Sequence, residues 1–76
     1  MKEFIEYIAR HLVDNPESVS IETEEKEGKL ILKLRVAETD VGKIIGRNGR
    51  TASALRTLLR AVAAKEKKRA VLDVIG

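Results

Sequence analysis

The sequence predicts a two-layer α+β domain, with helices covering one face of a three-stranded mixed sheet in the order α-β-β-α-α-β. Three observations carry that prediction. An amphipathic N-terminal stretch stops at Asp14-Asn15-Pro16, two alternating stretches flank Glu27-Gly28, and two helical stretches meet at Gly46-Arg47-Asn48-Gly49 before a short apolar run.

Residues 2 to about 13 read as the first helix. Phe4, Ile5, Ile8 and Leu12 recur at helical spacing, while Lys2, Glu3, Glu6 and Arg10 lie largely elsewhere. Asn15 precedes Pro16 and is pushed away from helical dihedrals, which ends the helix there. Tyr7 and His11, four residues apart, are neighbours on one helix face, where a lone histidine is a surface or cap residue.

Val19, Ile21 and Thr23 alternate with Ser20, Glu22 and Glu24, the pattern of a half-buried strand. Glu27-Gly28 supplies a hairpin turn. In the second strand Leu30, Leu32, Leu34 and Val36 point to the core, and Ile31, Lys33 and Arg35 point the other way. Thr39 or Asp40 is placed to cap a very short helix running through Ile45. A longer helix follows from about Arg50 to Lys65, with Leu55, Leu58, Leu59 and Val62 as its apolar stripe and small Ala52, Ala61 and Ala63 beside it. Arg56 and Arg60 lie one turn apart, away from much of that stripe. Lys65-Glu66-Lys67-Lys68-Arg69 closes the helix, because cations suit its negative dipole end. Ala70 to Ile75 reads as the third strand, with Leu72 and Val74 pointing inward. Two helices joining the second strand to the third impose a right-handed parallel crossover, whereas the hairpin strands are antiparallel.

With 76 residues the chain is one domain, 1–76, whose core is thin. It has no cysteine and a single histidine, so disulfides and thiolate zinc sites are excluded and no cofactor is expected. No apolar run approaches the roughly 18 residues of a membrane span, and Met1-Lys2-Glu3 lacks the shape of a signal peptide, so a cytoplasmic protein is expected. The net charge of +3 is unevenly spread: residues 1–40 carry −4 and residues 41–76 carry +7. Cations therefore concentrate on the half that holds the glycine loop, as on a polyanion-binding face.

That loop does not match the common phosphate-binding motifs. Gly42, Gly46 and Gly49 have neither the spacing of a Walker loop nor its Ser/Thr after Gly-Lys, and the dinucleotide fingerprint fails as well. A glycine loop opening a helix nevertheless offers N–H groups and a positive dipole end to phosphate. Lys43, Arg47 and Arg50 add charge on both flanks.

The run Val41-Gly42-Lys43-Ile44-Ile45-Gly46-Arg47-Asn48-Gly49 resembles the signature of the KH domain, whose GXXG loop (residues 46–49 here) clamps about four backbone nucleotides. The element order resembles the type II arrangement of that fold over nearly the whole chain. The length, and Gly-Arg-Thr-Ala entering the second helix of the pair, are similar to the small bacterial KH proteins of the KhpA group. The resemblance implies a cytoplasmic protein that binds single-stranded RNA, acts as an RNA chaperone linked to cell shape, forms homodimers and pairs with a larger KH-containing partner.

On that reading the binding residues are Gly42, Lys43, Ile44, Ile45, Gly46, Arg47, Asn48, Gly49 and Arg50. Gly46 and Gly49 admit the sugar-phosphate backbone, while Lys43, Arg47 and Arg50 contact phosphates and give a single-strand salt slope of about −2. One of Ile44 and Ile45 packs inward and the other lines a groove for bases; the sequence leaves open which. Asn48 tolerates left-handed dihedrals and can serve the turn alone. Ala52 stands where many KH domains carry Ile. The two aromatics, Phe4 and Tyr7, sit on the first helix, unlike an RRM or OB stacking platform. Asp73 has no matching base or nucleophile, and Glu24 and Glu25 fall on a hairpin tip, so no enzyme is expected. Two alternatives compete: an association module that docks on a partner, and a helix-turn-helix DNA binder, whose first helix would be too short here.

Overall fold

The computed structural model describes residues 1–76. Helix α1 spans Lys2–Leu12, strands β1 and β2 span Ser20–Lys26 and Lys29–Arg35, the short helix α2 spans Val41–Ile45, α3 spans Arg50–Lys65, and β3 spans Arg69–Ile75. The sheet order is β1-β2-β3, with β1 antiparallel and β3 parallel to β2. This is the predicted two-layer α+β architecture, consistent with a type II KH domain, and its boundaries fall within a residue or two of the predicted ones.

Each turn is fixed by local backbone chemistry. Glu27 and Gly28 both have positive φ, 53° and 75°, the dihedral signs of the I′ turn that matches strand twist. At the end of α3, Lys67 takes a left-handed φ of 57°. The Lys68 N–H donates to Ala63 at 2.9 Å and the Lys67 N–H to Ala64 at 3.0 Å, the two bonds of a Schellman closure.

The core lies between the helices and one sheet face. Leu32 and Leu34 of β2 are fully buried, with Ile5 of α1, Ile44 of α2 and Leu59 of α3 packed over them. Of the alternating set Val19 and Ile21 are buried, Val19 just before β1, and Thr23 is exposed. Along α1 the buried positions are Ile5 and Ala9, whereas Phe4 and Leu12 remain 40% and 38% exposed. The predicted stripe was centred too far from Ala9, whose methyl lets the helix approach the sheet. The same correction applies to α3. Ala52, Leu55, Leu59 and Ala63 form its buried face, Val62 is half-buried, and Leu58 is 43% exposed.

Asp40 departs from its predicted capping role. A single 3-10 turn, Glu38–Asp40, leads into α2, and no side chain caps that helix. Instead the Asp40 carboxylate, 1% exposed, turns back to the segment after α1. It accepts the Asp14 N–H at 3.2 Å, and the Asn15 N–H and side-chain amide at 3.0 Å each. Two backbone donors and one side-chain donor just past α1 are satisfied this way, and the start of α2 is tied to the end of α1.

Candidate nucleic-acid interface

The glycine loop is built by three residues with positive φ. Gly46 has φ 76° and ψ 176°, a region open essentially to glycine alone. Asn48 has φ 56° and ψ 28°, and Gly49 has φ 74° and ψ 12°, both left-handed helical values that asparagine and glycine accept most readily. The Gly46 N–H donates to Gly42 at 2.8 Å, ending α2, and the Gly49 N–H donates to Gly46 at 3.2 Å, closing the loop. A Cβ on Gly46 would lie 2.7 Å from the Thr51 Cβ and 2.9 Å from its backbone nitrogen, whereas one on Gly42 or Gly49 would meet nothing within 4 Å. Gly46 is thus required by the fold. Gly49 is favoured by its left-handed dihedrals, and Gly42 keeps an exposed stretch of main chain free of side chain.

No side chain caps the start of α3, so its first-turn N–H groups have no side-chain partner. Arg47, Asn48 and Arg50 are exposed at this tip, and neither arginine has a carboxylate within ion-pair distance. Lys43 differs from them. Its Nζ sits 3.0 Å from Asp14 and 3.7 Å from Asp40. The hydrogen bond and charge of Asp14, with Asp40 behind, raise its pKa above the ordinary lysine value. Burial by itself would push the Asp40 carboxyl up, but the Asn15 amide, the two backbone donors and Lys43 outweigh it and hold the carboxyl below its usual range. Lys43 is therefore held in ion pairs with Asp14 and Asp40, and Arg47 and Arg50 carry the loop's uncompensated charge.

The two isoleucines are now distinguished. Ile44 is fully buried in the core, and Ile45, the last residue of α2, is half-buried beside Gly46.

Beyond the loop, α3 and the edge strand β3 enclose a hollow of about 310 Å³ lined by Arg56, Leu59, Arg60, Ala70, Val71 and Leu72. Arg56 and Arg60 lie off the leucine stripe, and helical spacing alone does not join them to the loop residues. Pairing order supplies what spacing lacked: β3 has a neighbour on one side only, so the α3 face above its free edge stays open. No aromatic lines this hollow. Tyr7 lies on α1, its ring 4.4 Å from that of His11, whose Nδ1 is 2.9 Å from the Tyr7 carbonyl oxygen. Glu24 is drawn to Lys33 at 2.8 Å in the paired β1 and β2, which lowers the carboxyl pKa.

Comparison with known proteins agrees with this geometry. Residues 2–74 match the family model described as KhpA/KhpB, KH domain. The chain is similar to the RNA-binding protein KhpA of Treponema pallidum (strain Nichols), 53% identical over 74 residues that cover 97% of this chain and 92% of that one. It is 51% identical to the RNA-binding protein KhpA of Borreliella burgdorferi over 73 residues, covering 96% and 89% of the two chains. With the RNA-binding protein KhpA of Clostridium perfringens the identity is 47% over 75 residues, covering 99% and 100%. A family match over almost every residue, on a fold with this element order and a GXXG turn between its two short-linked helices, leaves one assignment: the chain belongs to the KhpA/KhpB KH-domain family.

Proposed function

We propose that the chain binds single-stranded RNA, with the sugar-phosphate backbone laid against the Gly46–Gly49 turn and the bases directed along α3. The observation that carries this reading is the combination of a side-chain-poor turn with two unpaired arginines, Arg47 and Arg50, at an uncapped helix start. The relatives named as RNA-binding proteins support the choice of ligand.

Each residue of the site takes a distinct role. Gly42, Gly46 and Gly49 let the strand approach main chain, and Arg47 and Arg50 pair with phosphates. Asn48 serves the turn through its left-handed dihedrals. Ile45 offers an apolar edge to the first base, while Ile44 anchors α2 from within the core. Lys43 positions the loop through Asp14 and Asp40. Arg56 and Arg60 join the site as cations beside the groove. With no aromatic platform there, binding is dominated by the backbone and has low sequence specificity, which suits an RNA chaperone or post-transcriptional regulator. No helix is long and apolar enough to cross a membrane, and a cytoplasmic role belongs to the same reading.

The test is the double variant Arg47→Asp with Asn48→Asp, aspartate being tolerated at the left-handed position. RNA retention is expected to vanish while circular dichroism and the melting curve stay as in wild type. A folded double variant with unchanged RNA affinity would falsify the reading.

A further inference from the structure

At the end of the sheet farthest from the glycine loop, cations are stacked side by side. Lys26 is the cross-strand partner of Lys29, and Lys29 is the cross-strand partner of Arg69, so three like charges lie in register across all three strands. Like charges placed directly opposite destabilise a sheet. Lys29 and Arg69 also line a second hollow of about 310 Å³, together with Lys68 and with Arg60 of α3. No carboxylate lines it, and none of these cations has one within ion-pair distance. The second hollow adjoins the first, sharing Arg60, Ala70 and Val71.

The negative dipole end of α3 accounts for one or two cations in its last turn. It does not account for Lys26 and Lys29, which belong to the hairpin, nor for a shared hollow lined by basic side chains without a counter-charge. A row of like charges without an ion pair is matched by a polyanion, and the two adjoining hollows run from it along α3 as far as Arg56, on the side of the loop. From Arg50 to Lys65 the helix between the two ends is about 24 Å long at 1.5 Å per residue.

We infer that Lys26, Lys29, Lys68 and Arg69 form a second RNA backbone contact, so that a strand held at the glycine loop continues along α3 and is gripped again at the far end of the sheet. This rests on the RNA-binding reading of the loop and extends it: the occupied length exceeds the roughly four nucleotides that a GXXG loop clamps.

The discriminating measurement compares oligoadenylate RNAs of about 5 and about 15 nucleotides on four proteins. These are wild type, Lys29→Gln with Lys68→Gln, the charge-matched control Lys2→Gln with Arg35→Gln, and the loop variant Arg47→Asp with Asn48→Asp. The Lys29/Lys68 variant should bind the short RNA as wild type does but the long one roughly tenfold more weakly, with a salt slope shallower by about 1.4. The control should bind both as wild type does. Equal long-RNA affinity in wild type and the Lys29/Lys68 variant, or equal losses on both lengths, overturns the second contact. Failure of the loop reading is recognised separately, by the loop variant retaining short-RNA binding. A readout independent of RNA is the melting temperature of Lys29→Gln at low salt. It should rise as repulsion with Lys26 and Arg69 is relieved, and a fall would mark the row as a structural part of the hairpin and overturn the inference.

Discussion

Asn15 donates twice to one oxygen of Asp40, from its backbone N–H and from its side-chain amide, at 3.0 Å each across 25 residues of sequence. The Asp14 N–H occupies the other oxygen at 3.2 Å. Both carboxylate oxygens are thus used as acceptors, which an amide cannot imitate: in Asp40→Asn one donor would face an NH2 group. The folded pKa of Asp40 is depressed, so its contribution is present above the unfolded value of about 3.9 and is lost as pH falls through the lower folded value. Asp40→Asn should therefore melt below wild type at neutral pH, and the gap should close as the pH is lowered below about 4. Lys43 has the opposite sign. Its raised pKa gives stability that is present below about 10.4 and fades as pH rises through the folded value. A gap between the Asp40→Asn and wild-type melts that stays constant from neutral pH to pH ~2 would contradict this account.

The two loop glycines should differ in what alanine does to them. At Gly46 an added Cβ meets Thr51 and the dihedrals lie in glycine-only space, so Gly46→Ala should lose about 3 kcal/mol or more of stability. At Gly49 there is room, and only the left-handed strain of about 1–2 kcal/mol applies. Denaturant unfolding of the two variants gives the order directly. The reverse order, or equal losses, would mean that Thr51 does not confine the loop.

Periodicity placed the three strands and the two longer helices, and strong punctuators such as Pro16, Gly28 and Gly46 bounded them and the short α2. It misplaced the buried face of α3, since alanines carry little hydrophobic signal although they set how closely a helix approaches a sheet. The exposure of Leu58 makes the difference measurable. Leu59→Ala, at 1% exposure, should cost about 2–5 kcal/mol, a large part of the roughly 4–11 kcal/mol expected for a chain of this length. Leu58→Ala, at 43% exposure, should stay within about 0.5 kcal/mol of wild type. Equal losses in urea melts would restore the leucine stripe that the sequence suggested.

The loop itself was legible because glycine spacing and nearby cations are local features. The anchoring of Lys43 was not, since Asp14 lies far from it in sequence and the buried carboxylate of Asp40 looks like a helix cap. Lys43 and Arg47 should consequently separate in a salt titration of RNA binding. Arg47 has no carboxylate partner, so Arg47→Gln should weaken RNA binding and make the slope of log K against log salt shallower by about 0.7. Lys43→Gln removes an ion pair with Asp14 instead of a free cation. It should lower the melting temperature and leave the slope within about 0.2 of wild type, so that Arg47 and Arg50 together account for about −1.4 rather than −2. If Lys43→Gln flattens the slope as much as Arg47→Gln does, the lysine leaves Asp14 when RNA arrives, and all three cations share the phosphates.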